Sequence, residues 1–373
     1  MAKTRLCVDI NCGQINGVLI RYDRKSTRAI KAFTIDNPGY DFYKGSIYEI
    51  ENIAEEIKFS LSYKKINVKE LIVCTNHQDM VLEEAIIPVA QNGIYKDHAV
   101  RLENRAKQES KVPLKATYLK SQILIDTSNM ANIVTVLMPQ YIVEKCKSLA
   151  SYLNMKLVGI ADSGVSSCLA YKPTLKDKTF VVDLREDGTY VYFVDSGIIR
   201  AKEFVPFKSS AIVKILQKHK NCKSFPTASQ MLQDDMIILT AQRQNNDPYK
   251  KISSETFELV QSLSKMLDLT MQKLATRLHT DFKDVVLVGI GASFSGMATA
   301  LSNKLKVPVS VLTERLMEIN CSDIEYENFY HSATHDVLAS SASPDANLLW
   351  IDNYKVGKQN SLLDIIYRFL FGE

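Results

Sequence analysis

Short apolar runs alternate with helical patterns along most of the chain. Three β-rich runs open it, at residues 6–10, 17–22 and 29–35, and turn residues separate them, so they are predicted as strands. A helical pattern at residues 53–63 and another apolar run at 70–74 follow. This order predicts an α/β unit that begins with a three-stranded meander.

The pattern changes between residues 81 and 154. A charged helical pattern is stopped by Pro113, and patterns of two strands, a helix, a strand and a helix follow up to the second unit. The predicted helices cover 94–111, 139–153 and 163–171, and the predicted strands cover 118–125, 133–138 and 157–161. We therefore predict that residues 81–154 form an α+β subdomain inserted into a first unit made of residues 1–80 and 155–176.

The opening meander then recurs at residues 179–183, 190–195 and 198–204. A long helix beginning near Ser253 or Ser254 follows, then a strand at 284–288, a helix at 295–305 and a strand at 307–312. The apolar positions on one face of the long helix are Val260, Leu263, Leu267, Leu274 and Leu278. The repeated opening predicts a duplicated unit over residues 177–350.

Three glycine-bearing segments each follow an apolar strand. A tight turn at such a place aims backbone N–H groups at phosphate, and an Asp at the strand end holds Mg²⁺ through water. The candidate nucleotide-binding residues are Asp9, Asn11, Gly13, Gln14, Asp183, Arg185, Gly188, Thr189, Gly289, Gly291, Ala292 and Ser293. The candidate metal residues are Asp9 and Asp183. Each segment alone is more typical of an ordinary strand-ending turn, but their order and spacing together favour the architecture of actin, Hsp70 and the sugar kinases.

Composition narrows the class of protein. With 373 residues, of which 46% are hydrophobic and 24% charged, the chain is predicted to be globular with more than one domain. The net charge of +4 is scattered, which gives no support to nucleic-acid binding. The start does not resemble a signal peptide, no apolar stretch is long enough for a transmembrane helix, and the seven Cys form no C-x-x-C pair. We expect a cytoplasmic protein with reduced thiols.

Several segments resemble the PilM family of type IV pilus assembly proteins and, more distantly, the division protein FtsA. These segments are residues 103–114, which end in Ser-Lys-Val-Pro-Leu, and residues 118–124, 149–162, 168–170 and 285–308. The resemblance covers about residues 4 to 350. It implies an actin-like (ribonuclease H-like) fold with duplicated domains, ATP or ADP with Mg²⁺ in an interdomain cleft, and docking of a PilN-like inner-membrane partner.

Two departures from the family pattern concern the phosphate turns. The first turn usually has Gly two residues after Asp, whereas here Asn11 and Cys12 precede Gly13. In the second turn Arg185 replaces a small residue, and it either pairs with phosphate or fills the site. No water-positioning residue is identifiable, so no catalytic residue is assigned. The expectation is a slow ATPase at most, with a nucleotide-independent scaffold left open.

Residues 351–373 form a polar linker followed by a predicted apolar helix. Its apolar positions are Leu362, Leu363, Ile365, Ile366, Phe369 and Leu370. Such a helix either packs on its own domain or on a partner, or it tethers an FtsA-like division or filament-forming protein to the inner face of the membrane. Self-association is left open. A sugar kinase, which the same fold can host, is a further alternative, but we find no candidate Asp base.

Overall fold

The computed structural model describes residues 3–22, 27–39, 48–88, 114–118, 124–125, 130–171, 175, 177–234, 249–312, 318–319 and 349–350. Over these ranges the chain forms three β-sheets. The strands are β1 Lys3–Ile10, β2 Gln14–Tyr22, β3 Thr27–Asp36, β4 Glu70–Thr75, β5 Val81–Pro88, β6 Leu114–Tyr118, β7 Leu124–Ile125, β8 Met130–Pro139, β9 Lys156–Asp162, β10 Thr179–Leu184, β11 Thr189–Asp195, β12 Ile198–Val205, β13 Asp284–Val288, β14 Val309–Val311, β15 Glu318–Ile319 and β16 Leu349–Trp350. The helices are α1 Ile50–Tyr63, α2 Gln140–Tyr152, α3 Ser163–Ala170, α4 Ser210–Lys220, α5 Phe225–Asp234, α6 Lys250–Arg277 and α7 Met297–Leu305.

The first sheet has the strand order β15-β3-β2-β1-β4-β9. Strand β1 pairs antiparallel with β2 and parallel with β4, and β4 pairs parallel with β9. Every residue of β1 from Leu6 to Ile10 is buried, because both faces of this central strand are covered. Leu6 belongs to the cluster that includes Ile57 of α1, whereas Cys7 lies in a smaller cluster on the opposite face.

The second sheet repeats this plan, with the order β12-β11-β10-β13-β14. Its first three strands form an antiparallel meander, and β10, β13 and β14 are parallel to one another. All residues of β10 and β13 are buried, as expected for parallel strands covered on both faces. The duplication predicted from the repeated meander is therefore confirmed.

A third sheet is built mainly from the chain between β4 and β9. Its order is β16-β6-β8-β5, with β7 also paired to β8. Strand β16 comes from much later in the chain and pairs antiparallel with β6. The sheet leads into α2, whose buried residues belong to the same core cluster as those of α1 and β1. Helix α2 thus packs with the first unit, and the bounds 81–154 of the inserted subdomain stay a prediction.

Apolar spacing explains how the helices attach to the sheets. In α1 the residues Ile53, Ile57 and Leu61 are four apart and buried, so they form one face of the helix. In α6 the predicted apolar face is buried at Val260 and Leu263, and also at Leu267 and Leu274. These helices cover opposite units, α1 the first and α6 the second.

Some element predictions differ from the structure. The sequence patterns did not predict strand β5 or helices α4 and α5. The strand predicted at 118–125 overlaps two observed strands, at the last residue of β6 and at β7. Residues 119–123 lie outside the described ranges. The helices predicted at 94–111 and near the C-terminus also lie outside them. In the part of the chain that the structure describes, no helix is both long and apolar enough to cross a membrane.

Candidate functional site

The carboxyl ends of the parallel strands place polar residues between the two units. Asp9 lies near the end of β1, Asp162 at the end of β9 and Asp183 near the end of β10, and Gly289 follows β13. Ligands of open α/β sheets bind at this edge of the strands. Since side chains of the two units contact each other here, this edge is the candidate site.

The two hairpin turns have the same backbone plan. The N–H of Asn11 donates to the carbonyl oxygen of Gln14, and the N–H of Arg185 donates to that of Gly188, each at 3.0 Å. Asn11 and Arg185 therefore occupy the same position, two residues after the aspartate of their own turn. The next position holds Cys12 in the first turn and Glu186 in the second. By this equivalence Gly13 and Gly188, which looked alike in the sequence, occupy different positions of their turns.

Arg185 connects the two turns. Its Nη2 donates to Oδ1 of Asp9 at 2.7 Å, and both side chains are 1% exposed. The side-chain amide of Asn11 donates to the other oxygen of Asp9 at 2.5 Å. A buried ion pair is stable when its remaining lone pairs are also hydrogen-bonded, and both oxygens of Asp9 meet this condition.

Glu186 makes a second contact between the turns. Its Oε2 accepts the backbone N–H of Gly13, and the side chain is completely buried. Burial, together with the nearby charges of Asp187 and Asp9, raises the pKa of Glu186 to about 8, although the hydrogen bond from Gly13 acts in the opposite direction. Among the described residues, Oε1 of Glu186 has no hydrogen-bond partner. The second turn thus places a carboxyl group at a backbone N–H of the first.

Phe225 covers the first turn from the side of the second unit. A Cβ atom at Gly13 would lie 2.5 Å from the ring of Phe225, so a side chain at Gly13 would displace the ring. The N–H of Phe225 also donates to Oδ1 of Asp36 at 3.2 Å. The first turn is therefore enclosed by protein on this side.

Asp183 lies against the third glycine-bearing turn. Its Oδ2 accepts the Ser163 hydroxyl at 2.8 Å, while Oδ1 has no hydrogen-bond partner in the described ranges. A Cβ at Gly289, where φ is +81°, would come within 2.5 Å of that Oδ1. Burial raises the pKa of Asp183 to about 6, although Arg185 and the Ser163 bond act in the opposite direction.

The other predicted residues are held by contacts within the second unit or by burial. Thr189 donates its hydroxyl to the carbonyl oxygen of Phe207 at 3.0 Å. A Cβ at Gly291 would lie 2.9 Å from the Cβ of Leu184, so this turn packs directly on the end of β10. The remaining predicted residues are Gln14, which is buried, Gly188, which lies against Phe204, Ala292, which is buried, and Ser293, whose hydroxyl donates to Ile290.

A second polar network joins the units beside these turns, and sequence reasoning missed it. Lys202 of β12 donates to Oδ2 of Asp162 at 2.7 Å, with side-chain exposures of 3% and 0%. Lys202 also donates to Asn76, and Tyr192 donates to Asp162. The one signal for this network in the sequence was Asp162, which follows a predicted strand. Its partner Lys202 on β12 is known from the fold alone.

The arrangement does not fit a nucleotide phosphate with its metal. Phosphate binding requires backbone N–H groups that point at the ligand, and the N–H of Gly13 already donates to Glu186. Both oxygens of Asp9, a predicted metal residue, accept hydrogen bonds from side chains. The described residues also contain no group of three or more His, Cys, Asp or Glu that could hold a metal ion. Nucleotide binding stays a prediction from the sequence.

Comparison with known proteins gives the fold. No family model and no curated protein matches the chain. The structure is similar to a chain of the PilM-PilN type IV pilus biogenesis complex, with a TM-score of 0.70 and 12% identity over 92% of this chain and 98% of that chain. EutJ from Carboxydothermus hydrogenoformans gives a TM-score of 0.48 at 13% identity, over 90% of this chain and 89% of that one. MreB5 of Spiroplasma citri bound to ADP gives 0.44 at 10% identity, over 83% and 91%.

The resemblance noted in the sequence is confirmed at the level of the fold. Identities this low carry no function from one protein to another. The shared five-strand order of the two sheets, the cleft at their carboxyl ends and the match over nearly the whole of a chain from the PilM-PilN complex agree with one another. The chain therefore has the actin-like ATPase fold, with a further sheet inserted in its first unit.

Proposed function

We propose that the chain is a cytoplasmic, actin-like scaffold of type IV pilus assembly that docks a PilN-like inner-membrane protein. The observation that carries this proposal is the structural similarity to a chain of the PilM-PilN complex, which extends over 98% of that chain. The role is structural. Placement at the inner face of the membrane would follow from the partner, and the tail at residues 351–373 lies outside the described ranges.

A polar and aromatic surface lies where the third sheet joins the first unit. The Tyr141 hydroxyl, at the start of α2, lies 2.8 Å from Nε2 of His77, and Nζ of Lys145 lies 5.2 Å from the ring centre of Tyr48 and 5.9 Å from that of Tyr141. Tyr141 is 39% exposed. Aromatic residues, Tyr among them, are enriched at protein–protein interfaces and contribute much of the binding energy there. We assign docking of the partner's cytoplasmic peptide to this surface, which we call the α2 surface.

Fluorescence anisotropy tests both parts of the proposal. The probe is a labelled peptide with the cytoplasmic N-terminal sequence of the PilN-like protein from the same genome, and the control peptide has the same composition in scrambled order. We expect saturable binding of the first peptide alone. Absence of binding by the folded full-length chain, or equal binding of the scrambled peptide, would refute the docking function.

A matched pair of variants tests the surface. Tyr141→Ala is expected to weaken binding about tenfold or more, as for a central aromatic contact. Tyr152→Ala is the control, since Tyr152 is 43% exposed at the other end of the same helix, where it donates to Glu51. Equal affinities of the two variants would place the peptide elsewhere and leave the scaffold role standing.

A further inference from the structure

The two side chains that join the turns both belong to the second turn. Arg185 and Glu186 are adjacent in the second turn, and their counterparts by backbone position in the first turn are Asn11 and Cys12. The second turn therefore carries a cationic and an acidic side chain where the first carries none. Both reach across the boundary between the units, to partners 176 and 173 residues away in the chain.

Each of these two groups stands where a component of a bound metal–phosphate ligand is expected. The Glu186 carboxyl group accepts a backbone N–H of the glycine-bearing turn, as a phosphate oxygen does. The Arg185 guanidinium donates to the aspartate at the strand end, the group that would otherwise face a cation. All three side chains, including that of Asp9, are at most 1% exposed.

The neighbouring contacts close the same boundary. Ser163 of the first unit donates to Asp183 of the second at 2.8 Å, and Lys202 of the second donates to Asp162 of the first at 2.7 Å. The side chains of both pairs are buried, so a hydrogen bond and an ion pair tie the units together beside the turns.

We propose that the chain closes its own cleft: Glu186 takes the place of a phosphate oxygen and Arg185 takes the place of the metal cation between the two turns. The units are then held together without a nucleotide. This internal closure follows from the contacts of the turns and is independent of any pilus partner. It selects the second of the two roles that the sequence left open for Arg185, filling the site.

The first test is a titration of the full-length, unmodified chain with fluorescent ATP and ADP analogues in the presence of Mg²⁺. We expect no saturable binding up to about 1 mM. Saturable binding with a dissociation constant below that concentration would overturn the proposal, because the phosphate would have to displace Glu186 from Gly13. This test needs no variant, so it holds even if the substitutions below impair folding.

The second test follows hydrogen exchange of the first turn, residues 10–17. Glu186→Ala removes the acceptor of the Gly13 N–H and is expected to speed exchange there about tenfold or more, since the opening free energy falls. Glu186→Gln keeps an acceptor oxygen and is expected to preserve slow exchange. Equal exchange in the Ala and Gln variants would contradict the role of Glu186.

Arg185→Met tests the cation in the same way and is expected to speed exchange of residues 10–17. Its matched control is Arg5→Met, because Nε of Arg5 pairs with Glu70 at 2.6 Å within the first sheet and does not cross the boundary. If both variants leave the exchange of the first turn unchanged, Arg185 does not hold the units together.

Discussion

Glu186 has no exposed surface, and its carboxyl group lies near Asp187 and Asp9. Ionisation would create a charge that water cannot hydrate and that lies near other negative charges, which is why the pKa of Glu186 rises to about 8. The acid is then largely protonated at neutral pH. A neutral carboxyl group is less costly to bury than a carboxylate, and it still accepts the N–H of Gly13.

This shift predicts how stability depends on pH. In the folded protein the pKa of Glu186 is raised from its ordinary value of 4.5 to about 8, so the folded state binds more protons than the unfolded state between these two pH values. The stabilisation is fully present below the unfolded pKa and is lost as the pH rises through the folded pKa. The Gln side chain of Glu186→Gln cannot ionise. As the pH rises from 5 to 9, we therefore expect the free energy of unfolding of this variant to increase by about 2–4 kcal/mol relative to that of wild type.

Urea unfolding of both proteins at several pH values measures this difference. Other buried acids, such as Asp183, titrate in wild type and variant alike, so their contribution cancels in the comparison. Glu144→Gln is the control, since the Glu144 side chain is 55% exposed. A pH-independent difference between wild type and Glu186→Gln would show that Glu186 does not titrate in this range.

At the scale of single elements, helix α6 separates a buried from an exposed face. Leu267 is fully buried in the core of the second unit, whereas Leu269, two residues later, is 69% exposed. Residues two apart on an α-helix point in different directions. The sequence pattern identified the buried face of α6 correctly, because apolar residues recur there at helical spacing.

The two leucines of α6 give a matched pair of variants. Leu267→Ala leaves a cavity in the core of the second unit and is expected to reduce the free energy of unfolding by about 2–5 kcal/mol. Leu269→Ala loses little buried surface and is expected to change it by less than about 0.5 kcal/mol. Denaturant unfolding of both variants measures the contrast, and similar losses would mean that the helix is rotated from the orientation described.

The third sheet shows where element prediction from sequence reached its limit. Strand β8 contains an apolar run and was predicted, but β5 was not, although β5 pairs with β8 along its whole length. Strand β16 has two residues and pairs with β6 from more than two hundred positions away. Such short strands exist because a neighbouring edge supplies their hydrogen bonds, and local pattern carries little information about that edge.

At the scale of the whole molecule, Lys202 and Asp162 join the two units. Lys202 lies on β12 of the second unit, Asp162 ends β9 of the first, and both are buried. Burial lowers the pKa of Lys202, although the charge of Asp162 opposes this effect. Removal of the lysine leaves a carboxylate buried at the boundary without its cation.

Lys202→Met is therefore expected to reduce the free energy of unfolding by about 3–5 kcal/mol. Calorimetric unfolding scans measure this loss of stability. Lys273→Met is the control. Lys273 lies 3.9 Å from Glu203 within the second unit and is 69% exposed, and such surface pairs contribute little. Equal scans for the two variants would contradict the joining role of Lys202.

The sequence by itself determined the local elements and their repetition. Apolar runs bounded by turn residues gave the strands of both meanders, helical spacing gave helix α1 and the buried face of α6, and the recurrence gave the duplicated actin-like plan. It also marked Asp9, Asp183 and Arg185 as residues of special interest. These features depend on burial and periodicity, which are properties of neighbouring residues in the chain.

The tertiary structure alone decided what those residues do. Asp9 pairs with Arg185, Gly13 with Glu186 and Asp162 with Lys202, because the fold brings the carboxyl ends of two separate sheets together. The sequence left two roles open for Arg185, since a guanidinium binds a phosphate or a carboxylate equally well. Its partner in the fold, Asp9, lies 176 residues away in the chain. No local sequence pattern encodes a contact between residues so far apart.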